Sequence, residues 1–285
     1  MKPCEASGYH ESCGRYRHSR EPAGIPGLGR LEAGCTGPGC AWGRLVLGGT
    51  HPGEIIDEIR TLGWPGVLGN TDEMLWTQER PMEMTSAQPR LASLLGRLQD
   101  MVAPIRARIG DERLRWLRSL PTMQAGEGFA VVHASPKDLW QAPMANATDD
   151  GIEKTFVELG TPVVVYGHIH VSHVRRLPGM TVANAGSVSQ SYDGDRRAAY
   201  AVIEGGKVTI RRVEYDVESE AKELLHSGLP QVEWLSRILL AGKYCPWNDS
   251  RSRPVIGNVQ EDGPPIKSTS LNLLAGLTAT NAIGL

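Results

Sequence analysis

Residues Pro162-Val-Val-Val-Tyr-Gly-His-Ile-His170 decide how this chain is read. Three consecutive valines and a tyrosine, bounded by proline and glycine, spell a strand buried on both faces. Such strands occupy the middle of layered α/β sheets, and their ends carry polar loops. This strand runs straight into Gly167-His168-Ile169-His170. In extended backbone, residues two apart point the same way, so the two imidazoles are expected to face one site. Gly167 lets the backbone approach that site closely.

Outward from this strand, strand and helix signals alternate from about Arg44 to Tyr244. Upstream, Arg44 to Leu47 is a short apolar run stopped by Gly48-Gly49, which predicts a buried strand. Pro52 to Leu62 sets Ile55, Ile56 and Ile59 along one helical face, with Gly63 as its stop. Gly66 to Leu68 predicts a second strand. Arg90 to Ile109 predicts a helix interrupted at Pro104, and Asp111 caps another that ends before Pro121. Phe129 to Val132 is a strand ending at His133, and a helix starting at Asp149 or Asp150 ends at Gly160. Downstream, Thr181 to Ala183 and Ala199 to Ile203 are strands. Gly205-Gly206 turns the latter into the alternating stretch Lys207 to Tyr215. Val217 to Leu225 and Gln231 to Leu240 close the pattern as helices. The expectation is a layered α/β domain with a mixed sheet.

The flanks read differently. Residues 1–43 hold nine Gly, four Pro and four Cys and few large aliphatic side chains. They bury too little apolar surface to offset the entropy of ordering, and are expected to be disordered. The same expectation covers 245–285, apart from a weakly amphipathic stretch from Leu271 to Leu285. The cysteines (Cys4, Cys13, Cys35, Cys40 and Cys245) show no paired CxxC spacing, so no structural zinc site is expected.

The 285 residues carry 30 Lys plus Arg against 32 Asp plus Glu, a net charge of -2. Nothing in that balance indicates a nucleic-acid partner. No run approaches the roughly 18 apolar residues of a membrane span. The first residues lack the apolar centre of a signal peptide, so a cytoplasmic location is expected.

Four loops follow predicted strands and carry metal-capable side chains: Gly69-Asn70-Thr71-Asp72-Glu73, His133 to Pro136, Gly167 to His170, and Asn184 to Ser187. Each has an ordinary reading. Asn70 after Gly69 suits a turn with positive φ. His133 can cap its strand by bonding a carbonyl. Asp193 to Arg197 reads as a solvated turn rather than a phosphate clamp. His51 and His173 belong to no pattern and are expected at the surface. Trp64, Trp76 and Trp140 suit either packing or an apolar groove.

Taken together and in order, the loops resemble the calcineurin-like metallophosphoesterases, in particular their compact bacterial phosphodiesterase branch. The resemblance covers about residues 44–244. It rests on GNTDE (Gly69 to Glu73), VVHASP (Val131 to Pro136), VVVYGHIH (Val163 to His170) and ANAGSVSQSYDGDRRAAYAVIE (Ala183 to Glu204). It implies a four-layer αββα sandwich and hydrolysis of small phosphate esters, monoester or diester, by metal-activated hydroxide. It also implies that Asn70, His133 and His168 hold one divalent ion, that His170 is a ligand of a second, and that Asp72 orients the neighbouring catalytic position. Mixed nitrogen and oxygen donors suit Mn first, then Zn, Fe or Ni.

Where the family has DxH and then a metal-bridging Asp after GD, no Asp-x-His precedes residue 70, and the chain reads Leu47-Gly48-Gly49-Thr50-His51-Pro52. The family's first strand is therefore expected to be missing. The four retained ligands are neutral when metal-bound. Two divalent ions about 3.5–4 Å apart need anionic ligands to offset their repulsion. One ion, or weak binding, is expected. A catalytically inactive scaffold on the same fold is the alternative function.

Overall fold

The structure is a computed structural model that describes residues 41–42 and 46–246. Strand β1 (Ala41–Trp42) leads to helix α1 (Pro52–Thr61), β2 (Gly66–Val67), the single turn α2 (Asn70–Glu73), α3 (Glu79–Ala87) and the long α4 (Ala92–Arg118). Then come β3 (Met123–Gly126), β4 (Phe129–Val132), α5 (Asp149–Phe156), β5 (Val163–Tyr166), β6 (His173–Leu177) and β7 (Met180–Asn184). The hairpin β8 (Ala198–Glu204) and β9 (Lys207–Val213) precedes α6 (Val217–His226) and α7 (Val232–Ala241).

β3-β4-β5-β7-β6 form one mixed sheet, in which β4, β5 and β7 run parallel and β3 and β6 antiparallel at the edges. The pleat divides its side chains between two cores. Val132, Val164, Tyr166 and Val182 face Ile152 and Phe156 of α5. Val131, Val163, Val165, Ala183 and Ala185 face Val67 of β2 and Val208 of β9, with Ala201 and Ile203 against them. So helix, sheet and a second layer of strands stack in order, and β5 is buried on both faces. The second layer consists of two pieces among the described residues, β1–β2 and β8–β9. A third core gathers residues of α1, α3, α4, α6 and α7, including Ile56, Met84, Ile105, Leu224 and Leu235.

Some expectations change. Val46 and Leu47 are buried in a bend and turn rather than a strand, and Arg44 and Leu45 lie outside the described residues. A strand precedes β2 after all: Ala41–Trp42, inside the segment expected to be disordered, pairs parallel with Gly66–Val67. Residues 1–40 and 247–285 lie outside the described residues, Cys4, Cys13, Cys35, Cys40 and the Leu271 to Leu285 stretch among them. Pro104 is accommodated inside α4, whose break comes at Gly110, where φ is 72°. Only glycine adopts that conformation cheaply. Among the described residues no helix is long and apolar enough to cross a membrane.

Candidate active site

The polar loops sit at the carboxyl ends of β2, β4, β5 and β7. Asn70 opens α2, and Asp72 Oδ2 caps it by accepting the Gly69 N–H at 3.2 Å. Asp72 is fully buried, and this contact ties its carboxylate to the turn that carries Asn70. Asn70 is helical, so the reading of it as a turn residue with positive φ does not hold. His133 follows β4 directly, and its carbonyl accepts the Gly167 N–H at 2.9 Å, which joins the loops after β4 and β5.

The loop after β5 departs from the extended geometry expected of it. His168 and His170 both have positive φ, 64° and 56°, and Ile169 N–H bonds Gly167 O at 2.7 Å. Left-handed backbone costs a non-glycine residue energy, and such strain collects at functional sites. Fully buried Ile169 packs into the α5-facing core and pins the turn. The two imidazoles consequently meet different partners. The His168 ring stands edge-on to His133, centroids 5.1 Å apart. His170 Nδ1 bonds Gln190 O at 2.7 Å, and its ring lies 4.8 Å from that of Tyr192.

His133 Nε2 lies 2.8 Å from Asn70 Oδ1 and 3.2 Å from His168 Nδ1. One ring nitrogen offers a single proton or a single lone pair, so it cannot make two good hydrogen bonds there at once. Adjacent donors on a first-row divalent ion, each about 2.1 Å from it, stand about 3 Å apart. The pairs Asn70 Oδ1–His133 Nε2 and His133 Nε2–His168 Nδ1 both have about that spacing. Asn70, His133 and His168 are thus brought together. His170 and Asp72 do not join them: among the described residues no three His, Cys, Asp or Glu side chains form a group able to hold an ion.

The Gly48 to Pro52 loop supplies no acid either. Thr50 Oγ1 donates to Glu220 Oε1 at 3.2 Å, and His51 pairs with Glu223, both on α6. His51 is therefore hydrogen-bonded to α6 at the surface. His173 is half-buried, its Nδ1 on Val171 O at 3.0 Å and its Nε2 3.2 Å from the Tyr166 hydroxyl. Burial lowers its pKa.

Asn184 braces the site from β7. Its amide donates to Gly167 O, and its Oδ1 accepts the Gly186 N–H at 3.0 Å. Sequence reasoning missed Gln190 and Tyr192, although both lie in the quoted stretch Ala183 to Glu204. Their type suggests no metal chemistry, and only the fold brings them to His170. Buried Thr71 Oγ1 and Gln190 Oε1 have no hydrogen-bond partner among the described residues. Trp140 is core, and its indole bonds Glu73. Trp64 and Trp76 are half-buried, Trp76 under the Arg118 guanidinium at 5.6 Å.

A search among functionally curated proteins found no match. Among solved structures, the chain is similar to a metallophosphoesterase from Sphaerobacter thermophilus. That similarity has a TM-score of 0.60 and 26% identity, covering 75% of this chain and 92% of that one. It shares its fold with a hypothetical protein from Pyrococcus horikoshii, at TM-score 0.60 and 18% identity, covering 72% and 84%. The family model described as the calcineurin-like phosphoesterase superfamily domain matches residues 47–207, more than half of the chain. Those residues hold every loop of the cluster, and the chain belongs to the calcineurin-like phosphoesterase superfamily.

Proposed function

We propose that the domain hydrolyses a small phosphate ester, monoester or diester, with one divalent ion held by Asn70 Oδ1, His133 Nε2 and His168 Nδ1. The observation that supports this reading is the placing of His133 Nε2 2.8 Å from Asn70 Oδ1 and 3.2 Å from His168 Nδ1: hydrogen bonding satisfies one of these contacts at a time, and a shared cation satisfies both. Manganese suits the amide and imidazole donors, with zinc, iron or nickel as alternatives. When bound, the ion supplies Lewis acidity to a phosphoryl oxygen.

The remaining chemistry belongs to the chain. His170 is held by Gln190 O with its Nδ1 proton engaged, which makes Nε2 the lone-pair nitrogen toward substrate or metal. Asp72 orients rather than reacts, by capping the turn that presents Asn70. Burial of Asn70, Asp72, His133, His168 and His170 keeps bulk water from competing for these donors.

The test is hydrolysis of bis(p-nitrophenyl) phosphate with added Mn2+, beside calorimetric Mn2+ titration. Turnover that depends on Mn2+ and one weak binding event are expected. Two tight binding events would overturn the single-ion reading. A second reading, a phosphoesterase fold kept as a binding scaffold, is favoured by one observation: among the described residues no carboxylate joins Asn70, His133 and His168. Absence of turnover, together with co-purification of a stoichiometric partner, would decide for it.

A further inference from the structure

Asn70 and His133 follow strands β2 and β4, which lie in different sheets, so no ladder bond sets the distance between their loops. Side-chain ties at two places span the gap among the described residues. The first is the Asn70–His133 contact itself. The second lies farther along both loops, where the Trp140 indole N–H donates to Glu73 Oε2 at 2.8 Å.

Each loop is stiff between its two tie points. Asn70 to Glu73 is a single helical turn, continued by Met74 N–H to Asn70 O at 3.2 Å. On the other side, Ser135 N–H and Oγ–H both donate to Asp138 O at 3.1 Å. Asp138 Oδ1 accepts the Trp140 backbone N–H at 2.7 Å, and Oδ2 accepts from Arg80 Nη2 of α3 at 2.7 Å. The Trp140 ring is 2% exposed in the helical core. One contact would let two loops pivot about it, whereas two contacts between stiff segments fix both separation and angle.

We infer that Trp140 and Glu73 are positioning residues: their hydrogen bond holds Asn70 and His133 at the spacing of two ligands of one ion. The inference rests on the reading of those two side chains as ion donors. A purely structural role for Trp140 lies in its ring, which Trp140→Phe largely keeps. Glu73 is half-buried and outside the apolar core, so Glu73→Ala isolates the hydrogen bond.

The experiment titrates the full chain with Mn2+ and follows the electron paramagnetic resonance signal of the free ion. Trp140→Phe and Glu73→Ala are each expected to weaken binding about tenfold, the usual scale for a group that orients a ligand. The double variant should be no weaker than either alone, because both remove one interaction. Glu73→Gln, whose amide oxygen still accepts, should restore near wild-type affinity. Glu73→Ala binding like wild type, or Glu73→Gln as weak as Glu73→Ala, overturns the inference. A second measurement needs no metal: the 15N resonance of His133 Nε2 in the metal-free protein. It should move in Glu73→Ala and not in Glu73→Gln, and an unmoved resonance in Glu73→Ala overturns the inference. If the resonance moves in Glu73→Ala but the wild-type protein binds no Mn2+, the ion reading is overturned and the positioning role stands. If Trp140→Phe does not fold, the Glu73 variants decide.

Discussion

Two polar clusters lie close together in this molecule and are built on opposite principles. In the first, Asn70, His133 and His168 crowd their polar atoms against one another. In the second, a few residues beyond Gln190, every charge has an opposite. Arg212 pairs with Asp193 and reaches Asp195, Arg197 grips Asp195 through two nitrogens, and Ser191 Oγ donates to Asp193 Oδ1 at 2.8 Å. Burial alone would raise the Asp193 pKa, but Arg212, Ser191 and the Ser172 and Asp195 backbone amides outweigh it and bring it below the ordinary value. The second cluster is complete as it stands and serves stability. The first sets one ring nitrogen between two contacts that hydrogen bonding cannot both satisfy, and that asymmetry separates the candidate site from a brace.

The largest expected effect breaks the first cluster. His133 contributes the central nitrogen, so His133→Ala should lower Mn2+ affinity at least about a hundredfold, more than loss of an orienting group would. The thermal midpoint of the metal-free protein should change far less. Unchanged affinity in the calorimetric titration would show that the two clusters do not differ in the way described.

Next in size is Arg212→Leu. Arg212 and Asp193 are 17% and 12% exposed, so removing one partner leaves a largely buried carboxylate uncompensated. Stability should fall by about 3 kcal/mol, read from urea unfolding. Ion affinity of the folded fraction should stay close to wild type. A variant that keeps its stability and loses the ion would reverse the two assignments.

How much of this was legible before the coordinates depended on what each residue's signal encodes. The double burial of β5 followed from Val163, Val164 and Val165 in a row, because only a central strand needs apolar residues on both faces. β6 was missed because Arg175 and Arg176 interrupt it, and β3 because it is mostly exposed and lacks an apolar face. α3 was missed because Pro81 and several polar residues blur its period. At the site, residue types were readable and their directions were not. His168 and His170 sit two apart, yet the left-handed turn through both sends their rings to different partners. The Asp193 to Arg197 run was expected to be a solvated turn, yet the Asp193 side chain is largely buried against Arg212. Its ties to Arg212, fifteen or more residues downstream, depend on tertiary packing that no local pattern carries.

The smallest expected effect sharpens the comparison through pH. Hydrogen bonding and charge from Arg197, aided by Arg212 and opposed by burial, hold the Asp195 carboxyl down at about 2, against 3.8 for the free side chain. A carboxylate whose pKa is depressed by folding adds stability above its unfolded value, and that addition is lost as pH falls from about 3.8 toward about 2. Asp195→Asn should therefore lower the thermal midpoint at neutral pH and converge with wild type near pH 2. Because Asp195 and Arg197 are 30% and 47% exposed, water and salt screen the pair, and the difference should be about 2 °C or less. Raising the salt concentration should shrink it further. Melting curves that run parallel from pH 5 to pH 2 would mean that Asp195 contributes through shape alone, and the second cluster would then owe its stability to Arg212 and Asp193 without it.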